Sequence, residues 1–374
     1  MEPTIHELKS EVKRLKDLLH DLESFTRGCF KNAINAANPK YSGDLQKAVY
    51  DIPSEGGMLI LPPNTTFVIR NPPLLIEKDE TTAVGRVRTN VLITGGGMTS
   101  VIKAPMGYSG DLIKIAGAEK TSAQDIILEN FFINGDKKAV TGIRLDLANQ
   151  IITLRNLSIR DCRTAGIEAE NNSCVNVFDS LRIRDCGSGV KLLQKGEKFG
   201  CNSVSIINCS INASAGIGVR VEHSTNVRIT NCRIDGSGSN GVSLNGVRGL
   251  MISGCRFESN CLLPTITRDG VGQVAIGGNS DRENTFICEG VHIAGCYFTG
   301  IDPKTKKPRS PVGITVRNSE KSIIIGNHFQ QHALAPIKLT PQAIETSIIG
   351  NSIIINKNRE RCNIMDSGTN THIL

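Results

Sequence analysis

Hydrophobic and polar positions along this chain follow three successive rhythms. In residues 4 to 25 the apolar side chains Ile5, Leu8, Val12, Leu15, Leu19 and Leu22 recur at alternating spacings of three and four, as the a and d positions of a heptad do. This seam predicts a short α-helical coiled coil over residues 1–25, with Glu11 at g and Lys16 at the following e placed to pair between chains. Ile or Val at a with Leu at d leans towards two strands, whereas Leu18 at g widens the apolar face and permits more. A single amphipathic helix packed on the body is the alternative.

The second rhythm is brief. Leu45, Ala48, Val49 and Ile52 give a helical period after Ser42-Gly43-Asp44, a suitable N-terminal cap, so residues 26–56 read as a connector and capping helix. Two alternating runs, Gly57 to Leu61 and Thr65 to Ile69, then flank Pro62-Pro63-Asn64 and predict two strands joined by a turn.

The third rhythm fills the rest. Asp161-Cys162, Asp185-Cys186, Asn208-Cys209, Asn231-Cys232, Gly254-Cys255, Gly295-Cys296, Gly326-Asn327 and Gly350-Asn351 recur at intervals of 24, 23, 23, 23, 41, 31 and 24 residues. A period near 23 with insertions marks a solenoid. Each period holds one apolar alternation before the Cys or Asn (Val227, Ile229) and one after a glycine (Gly166-Ile167, Gly189-Val190, Gly241-Val242, Gly313-Ile314). Alternation at period two points one residue inward and the next outward. The pattern fits neither a leucine-rich nor a helical repeat. It predicts an all-β fold, a right-handed parallel β-helix over residues 57–374, with roughly a dozen rungs. The recurring cysteines fall on one ladder in this alignment. Parallel Cβ vectors suit disulfides poorly, which predicts free thiols.

Composition agrees with many short strands: 37 Gly, no Trp and few aromatics. A net charge of +7 is mild for 374 residues and reads as a solvated surface, so no nucleic-acid partner is expected. No run approaches the ~20 apolar residues of a membrane span, and the first residues lack a secretory pattern. A soluble protein, cytoplasmic or virion-associated, is expected, with no membrane partner. Twelve cysteines without a CxxC pair suit a reducing compartment and give no support for a metal site or a cofactor.

The run Gly57-Met58-Leu59-Ile60-Leu61-Pro62-Pro63-Asn64-Thr65-Thr66-Phe67 is similar to the first strand pair of pectate-lyase-3 type proteins, and residues 42 to 365 resemble the pectin-lyase-like superfamily. That resemblance implies polysaccharide lyases, glycoside hydrolases, epimerases or trimeric phage tailspikes. The N-terminal seam resembles the tailspike group most, which implies a homotrimer. Catalytic motifs do not carry over. The Asn-Thr-Asp, Asp-Asp and Gly-His-Gly motifs of polygalacturonases are absent, and Arg309-Ser310-Pro311 is followed by no Arg until Arg317.

Stacked in register, the strands after each glycine present outward rows. One row reads Asp146, Glu170, Leu193, Glu222, Asn245, Gly277, Arg317 and Thr340; the other reads Arg144, Glu168, Lys191, Arg220, Ser243, Ala275, Thr315 and Lys338. Asp146 and Glu170 on adjacent rungs would lie ~5 Å apart, as in retaining glycosidases, and Glu170 and Glu222 ~10 Å apart, near the inverting range. Lyase chemistry would use Arg220, Lys191 or His223 as base and charge neutraliser. Long insertions after Cys255 and Cys296 carry Arg268, Asp269, Lys304, Lys306, Lys307 and Arg309, a basic wall beside Asn245 and Arg317 suited to an acidic glycan. The expected function is a tailspike-like protein that binds, and in one reading cleaves, a polysaccharide; a non-catalytic structural or adhesive spike is the alternative. Cross-rung ion pairs that serve the strand face alone are the other reading of each charged residue.

Overall fold

A computed structural model describes residues 33–53, 56–70, 72–77, 89–117, 123–146, 149–171, 173–194, 200–263, 271–277, 286–301, 310–354 and 364–374. The heptad seam, Arg268, Asp269, Lys304 and Arg309 lie outside these residues.

Within them the chain winds as a parallel β-helix with three long sheets. A typical turn runs through Arg228–Thr230 in the first sheet, Arg233–Asp235 in the second and Val242–Asn245 in the third. Strands of successive turns pair in parallel, giving sheets of 13, 11 and 10 strands among the described residues. Leu45–Tyr50 is a helix capped by Asp44, whose carboxylate accepts from the N–H groups of Gln46 and Lys47, and its Leu45, Ala48 and Val49 are buried as their spacing predicts. The strands Gly57–Leu61 and Thr65–Val68 flank the Pro-Pro-Asn turn and enter the first and second sheets.

Inward residues meet their equivalents one turn away. The second sheet stacks Ile159, Ile183, Ile211 and Ile234 and continues through Phe257, Phe298 and Phe329, all buried. The three phenylalanine rings are parallel, with centroids 4.7 and 4.9 Å apart, which is the rung spacing itself. Burying each large apolar side chain contributes about 1.5–3 kcal/mol. The recurrent glycine of the third sheet is explained by this isoleucine ladder. A Cβ on Gly142, Gly166, Gly189 or Gly218 would stand 2.8, 2.5, 2.3 or 2.8 Å from the Cγ2 of Ile159, Ile183, Ile211 or Ile234.

The corner between first and second sheets is one left-handed residue followed by one inward residue. Asn156, Ser180, Asn208 and Asn231, then Gly254, Gly295, Gly326 and Gly350, all have φ between 48° and 60°. Asn and Gly tolerate that conformation best, hence the repeating motif. The inward residue after it is Cys232, Cys255, Cys296, Asn327 or Asn351, and thiol and amide do the same work. Cys255 Sγ accepts from Cys232 N–H at 3.4 Å and Asn327 Oδ1 from Cys296 N–H at 2.9 Å. Cys255 Sγ donates to Ile229 O at 3.4 Å, as Asn351 Nδ2 donates to Ile324 O at 2.9 Å.

Cys162 and Cys186 do not belong to this ladder, contrary to the alignment by period. They follow their second-sheet strands, Ser158–Arg160 and Arg182–Arg184, and Leu157 and Leu181 occupy the first corner in those turns. Asp161 and Asp185, with φ of 58° and 56°, turn the chain at the second-to-third corner as Asn does at the first, so the two corners have the same short motif.

That second corner becomes a buried polar seam further along. Asn260 Oδ1 accepts from Ser237 N–H at 3.1 Å, and Gln273 Nε2 lies 2.7 Å from Thr299 O and 3.0 Å from His332 Nε2. Because the amide nitrogen can only donate, the imidazole nitrogen facing it accepts and is unprotonated. Burial pulls the His332 pKa down to about 3.

Two outcomes follow from this interior. The ten described cysteines are all free, nine of them buried, and burial pushes Cys201 and Cys261 up to about 12. A thiol reagent is therefore expected to find Cys174 first among these in the native chain, and all ten after denaturation without reductant. For His332, the unfolded chain binds a proton below about 6.5 that the folded chain refuses until about 3. Stability should fall as pH drops through that window, and His332→Gln should flatten the fall in melting temperature measured between pH 7 and pH 4.

Candidate functional site

The outer face of the third sheet gathers the charges singled out in the sequence. Pairing places Arg144, Glu168, Lys191, Arg220, Ser243, Ala275, Thr315 and Lys338 in one continuous row, preceded by Lys114, as the spacing from the glycine predicts. In the neighbouring row Glu170 pairs with Leu193 and Glu222 with Asn245. Parallel stacking thus brings Asp146, Glu170, Lys191, Arg220 and Glu222 onto one surface.

These side chains are half-buried or buried, packed against one another in a closely set charged strip, here the trough. Arg144 is its hub, bonded to Asp111 at 3.0 Å, to Glu168 at 2.9 Å and to Glu170. Lys191 reaches Glu168 at 3.5 Å and Lys114 reaches Asp146 at 3.2 Å. Glu170 is only 3% exposed, which places its carboxylate beneath the guanidinium rather than in the trough. Burial alone would pull the Arg144 pKa down; the bonds to Asp111 and Glu170 outweigh it and raise the pKa above its ordinary value. Two carboxylates and a guanidinium out of water stabilise the fold only while all three are present.

A separate constellation lies further along the trough. Arg220 Nε donates to Glu222 Oε1 at 2.8 Å within one strand, Val219–Glu222. His223 follows in the left-handed region, φ 48°, which swings its ring off the sheet at the corner leading to the first sheet. There it packs edge-on against Phe286 with ring centroids 4.1 Å apart, while Asn245 Oδ1 accepts from Phe286 N–H at 3.1 Å. Gly246 (φ +62°) makes room: a Cβ there would lie 2.8 Å from His223 Nδ1 and 3.0 Å from the Phe286 Cβ. Burial lowers the His223 pKa below the ordinary histidine value, against a smaller opposing effect of Glu222, so the ring is neutral at pH 7. Phe286 carries no signal of its role in the sequence. Its position after an insertion gives no period from which its rung could be counted.

Beyond this point the row closes over. Ser243, Ala275 and Thr315 are buried, and Thr315 Oγ1 donates to Val271 O at 2.9 Å, so the end of the first insertion lies on the outer face. The roots of the two insertions are tied together. Ser259 Oγ donates to Ile301 O at 2.9 Å and Ser310 Oγ to Asn260 O at 2.6 Å. Arg317 stands half-buried past this cover.

The family described as right handed beta helix region matches residues 198–373. No curated protein matches. Solved structures match over most of the chain at low identity. A protein of Geobacillus virus E2, ORF18, is 14% identical with a TM-score of 0.58; the match covers 95% of this chain and 62% of that one, so this chain spans under two thirds of its length. DFA-IIIase from Arthrobacter chlorophenolicus A6 without its lid is 14% identical, with a TM-score of 0.65 and coverage of 91% and 93%. Alginate lyase from Paenibacillus sp. str. FPU-7 is 15% identical, with a TM-score of 0.53 and coverage of 91% and 98%. At such identities the likeness is one of fold.

Removing the hub separates scaffold from site. Arg144→Ala removes the guanidinium shared by the buried Glu168 and Glu170, leaving Lys191 at Glu168, and is expected to destabilise the chain by about 3–5 kcal/mol. Arg220→Ala breaks one half-buried pair instead of three bonds and should cost clearly less than Arg144→Ala. Denaturant or thermal unfolding of both variants checks the difference.

Proposed function

We propose that this chain, a right-handed parallel β-helix of the pectin-lyase-like superfamily, holds a polysaccharide in the trough over its third sheet. The observation that carries the reading is the end of that trough, where Arg220, Glu222 and the neutral His223 all belong to one turn, with the inward Val221 between the first two. Fold likeness to an alginate lyase and a DFA-IIIase supports a carbohydrate as the occupant. Lys191 and Arg220 would face the carboxylates or hydroxyls of the sugar units, with Asn245 beside them. Arg268, Asp269, Lys304 and Arg309 would come from the insertions whose roots are joined. The heptad seam supports assembly into an oligomer, a homotrimer by resemblance to tailspikes.

The same turn has the parts for cleavage. In β-elimination an unprotonated imidazole removes the proton beside a uronate carboxylate while a guanidinium neutralises the charge that develops; the electron pair forms the C4–C5 double bond, the C4–O bond breaks, and the departing oxygen takes a proton from water. In hydrolysis Glu222 would protonate the departing glycosidic oxygen, but Asp146 stands three rungs away, about 14 Å, too far to activate water at the same bond, so the turn suits elimination better. A second reading, an adhesive spike that binds without cutting, is favoured by the ion pairs that already engage Asp146, Glu170 and Glu222.

Incubation with a panel of acidic and neutral polysaccharides tests these readings. Binding is expected to weaken in Arg220→Ala. If cleavage occurs, His223→Ala or Glu222→Gln should slow it by about 10²-fold to 10⁴-fold without altering the melting temperature. New reducing ends with absorbance from unsaturated uronates identify a lyase, and reducing ends alone a hydrolase. Binding without either supports the adhesive reading, and neither binding nor cleavage across the panel overturns the proposal.

A further inference from the structure

The second sheet has an outward face of different character, and nothing assigned to the trough touches it. Register places Arg233, Arg256, Tyr297 and His328 side by side on four successive rungs, with Asp235 and Glu258 two positions along from the two arginines. Arg233 bonds Asp235 at 2.8 Å and Glu258 at 3.5 Å, and Arg256 bonds Glu258 at 3.1 Å.

Exposure within this group is unequal. The Arg233 and Arg256 side chains are 54% and 55% exposed, whereas those of Asp235 and Glu258 are 17% and 16% exposed. The carboxylates lie beneath and hold the planar forks in place, and the charge presented to solvent is positive. Arg182, two rungs earlier in the row, is exposed as well. Beyond Arg256 the row turns aromatic. Its guanidinium lies 5.6 Å from the Tyr297 ring centroid, and the Tyr297 and His328 rings are parallel, within 8°, with centroids 5.1 Å apart. On the next rung stands the small, exposed Ser352, so the far ring face of His328 has room for another flat group.

We infer that this strip is a second carbohydrate-binding surface, distinct from the trough, and that its occupant is a strand of acidic polysaccharide lying along the helix axis. The rungs supply a fixed step of ~4.8 Å, close to the length of one sugar ring in a linear glycan. Arg233 and Arg256, oriented by their buried acids, take carboxylate groups of successive sugars in the bidentate geometry a guanidinium favours. The aromatic pair receives the flat face of the next ring. Among the described residues no segment overhangs the strip, which suits holding a chain rather than enclosing a bond for cleavage.

Affinity electrophoresis of the full chain in gels containing polygalacturonate, alginate or neutral dextran tests the inference. Retardation by the two acidic polymers and not by dextran is expected, weakening with added salt. Arg233→Ser with Arg256→Ser should reduce the affinity by about tenfold. Because that pair leaves two acids without partners, Tyr297→Ser with His328→Ser serves as a second variant that keeps every ion pair, and it too should weaken retardation. Arg220→Ala reports the trough separately: loss there with both second-sheet variants unchanged and folded, judged by circular dichroism and melting, overturns the second surface. Equal retardation by dextran, or none by either acidic polymer, overturns it as well. Loss in the second-sheet variants with Arg220→Ala unchanged supports it even where the trough reading fails.

Discussion

Parallel hydrogen bonding between one turn and the next is the constraint on which the rest of this molecule depends. It holds equivalent residues at the rung spacing, so each side chain has its own counterparts as nearest neighbours above and below. Inside, like beside like is favourable, and isoleucine and phenylalanine ladders form with little demand on sequence beyond size. Outside, like beside like is costly for charges. Register nevertheless sets Lys114 beside Arg144 and Lys191 beside Arg220, and the acids Asp146, Asp111, Glu168 and Glu222 reach in from neighbouring positions to offset that cost.

The same constraint explains why thiols and amides exchange places at the first corner. In the turns from Cys232 to Asn327 a backbone N–H there is satisfied by a side chain from the neighbouring turn, as are the carbonyls from Ile229 to Ile324, and an interior position cannot leave either unpaired without loss. Asparagine does this with two strong groups. Cysteine does it with one weak acceptor and one weak donor, while adding apolar volume. The exchange from Cys296 to Asn327 therefore preserves the hydrogen-bond pattern and changes only its strength.

A stacked scaffold also gives three long faces from one repeat, and the chain uses them differently. The third sheet packs its charges against one another and is covered at one end by the backbone at Val271. The second keeps acids low and arginines high, with no described segment lying over them. Neither arrangement needs an unusual backbone. Both depend on which rungs carry charge and on whether a neighbouring segment folds over them, so function can change here by surface substitution while the ladders stay intact.

Much of this was legible in the order of residues. Alternation at period two, the glycine that recurs in most third-sheet strands and a repeat near 23 residues determined the solenoid and the row running from Arg144 to Lys338, because pairing of consecutive turns converts sequence spacing directly into position; the two alternations per period did not disclose the third sheet. Spacing does not say which side of a corner a motif lies on: Asp185-Cys186 and Asn208-Cys209 read alike although one closes a second-sheet strand and the other opens one. Nor does it say what lies above an outward row. Thr315 and Glu170 both point outward in register and both are buried, one beneath the backbone at Val271 and the other beneath Arg144. Burial of an outward residue is set by segments and side chains that reach it from other turns. The sequence by itself determined the outward rows of this protein, and only the tertiary structure decided which parts of those rows meet solvent.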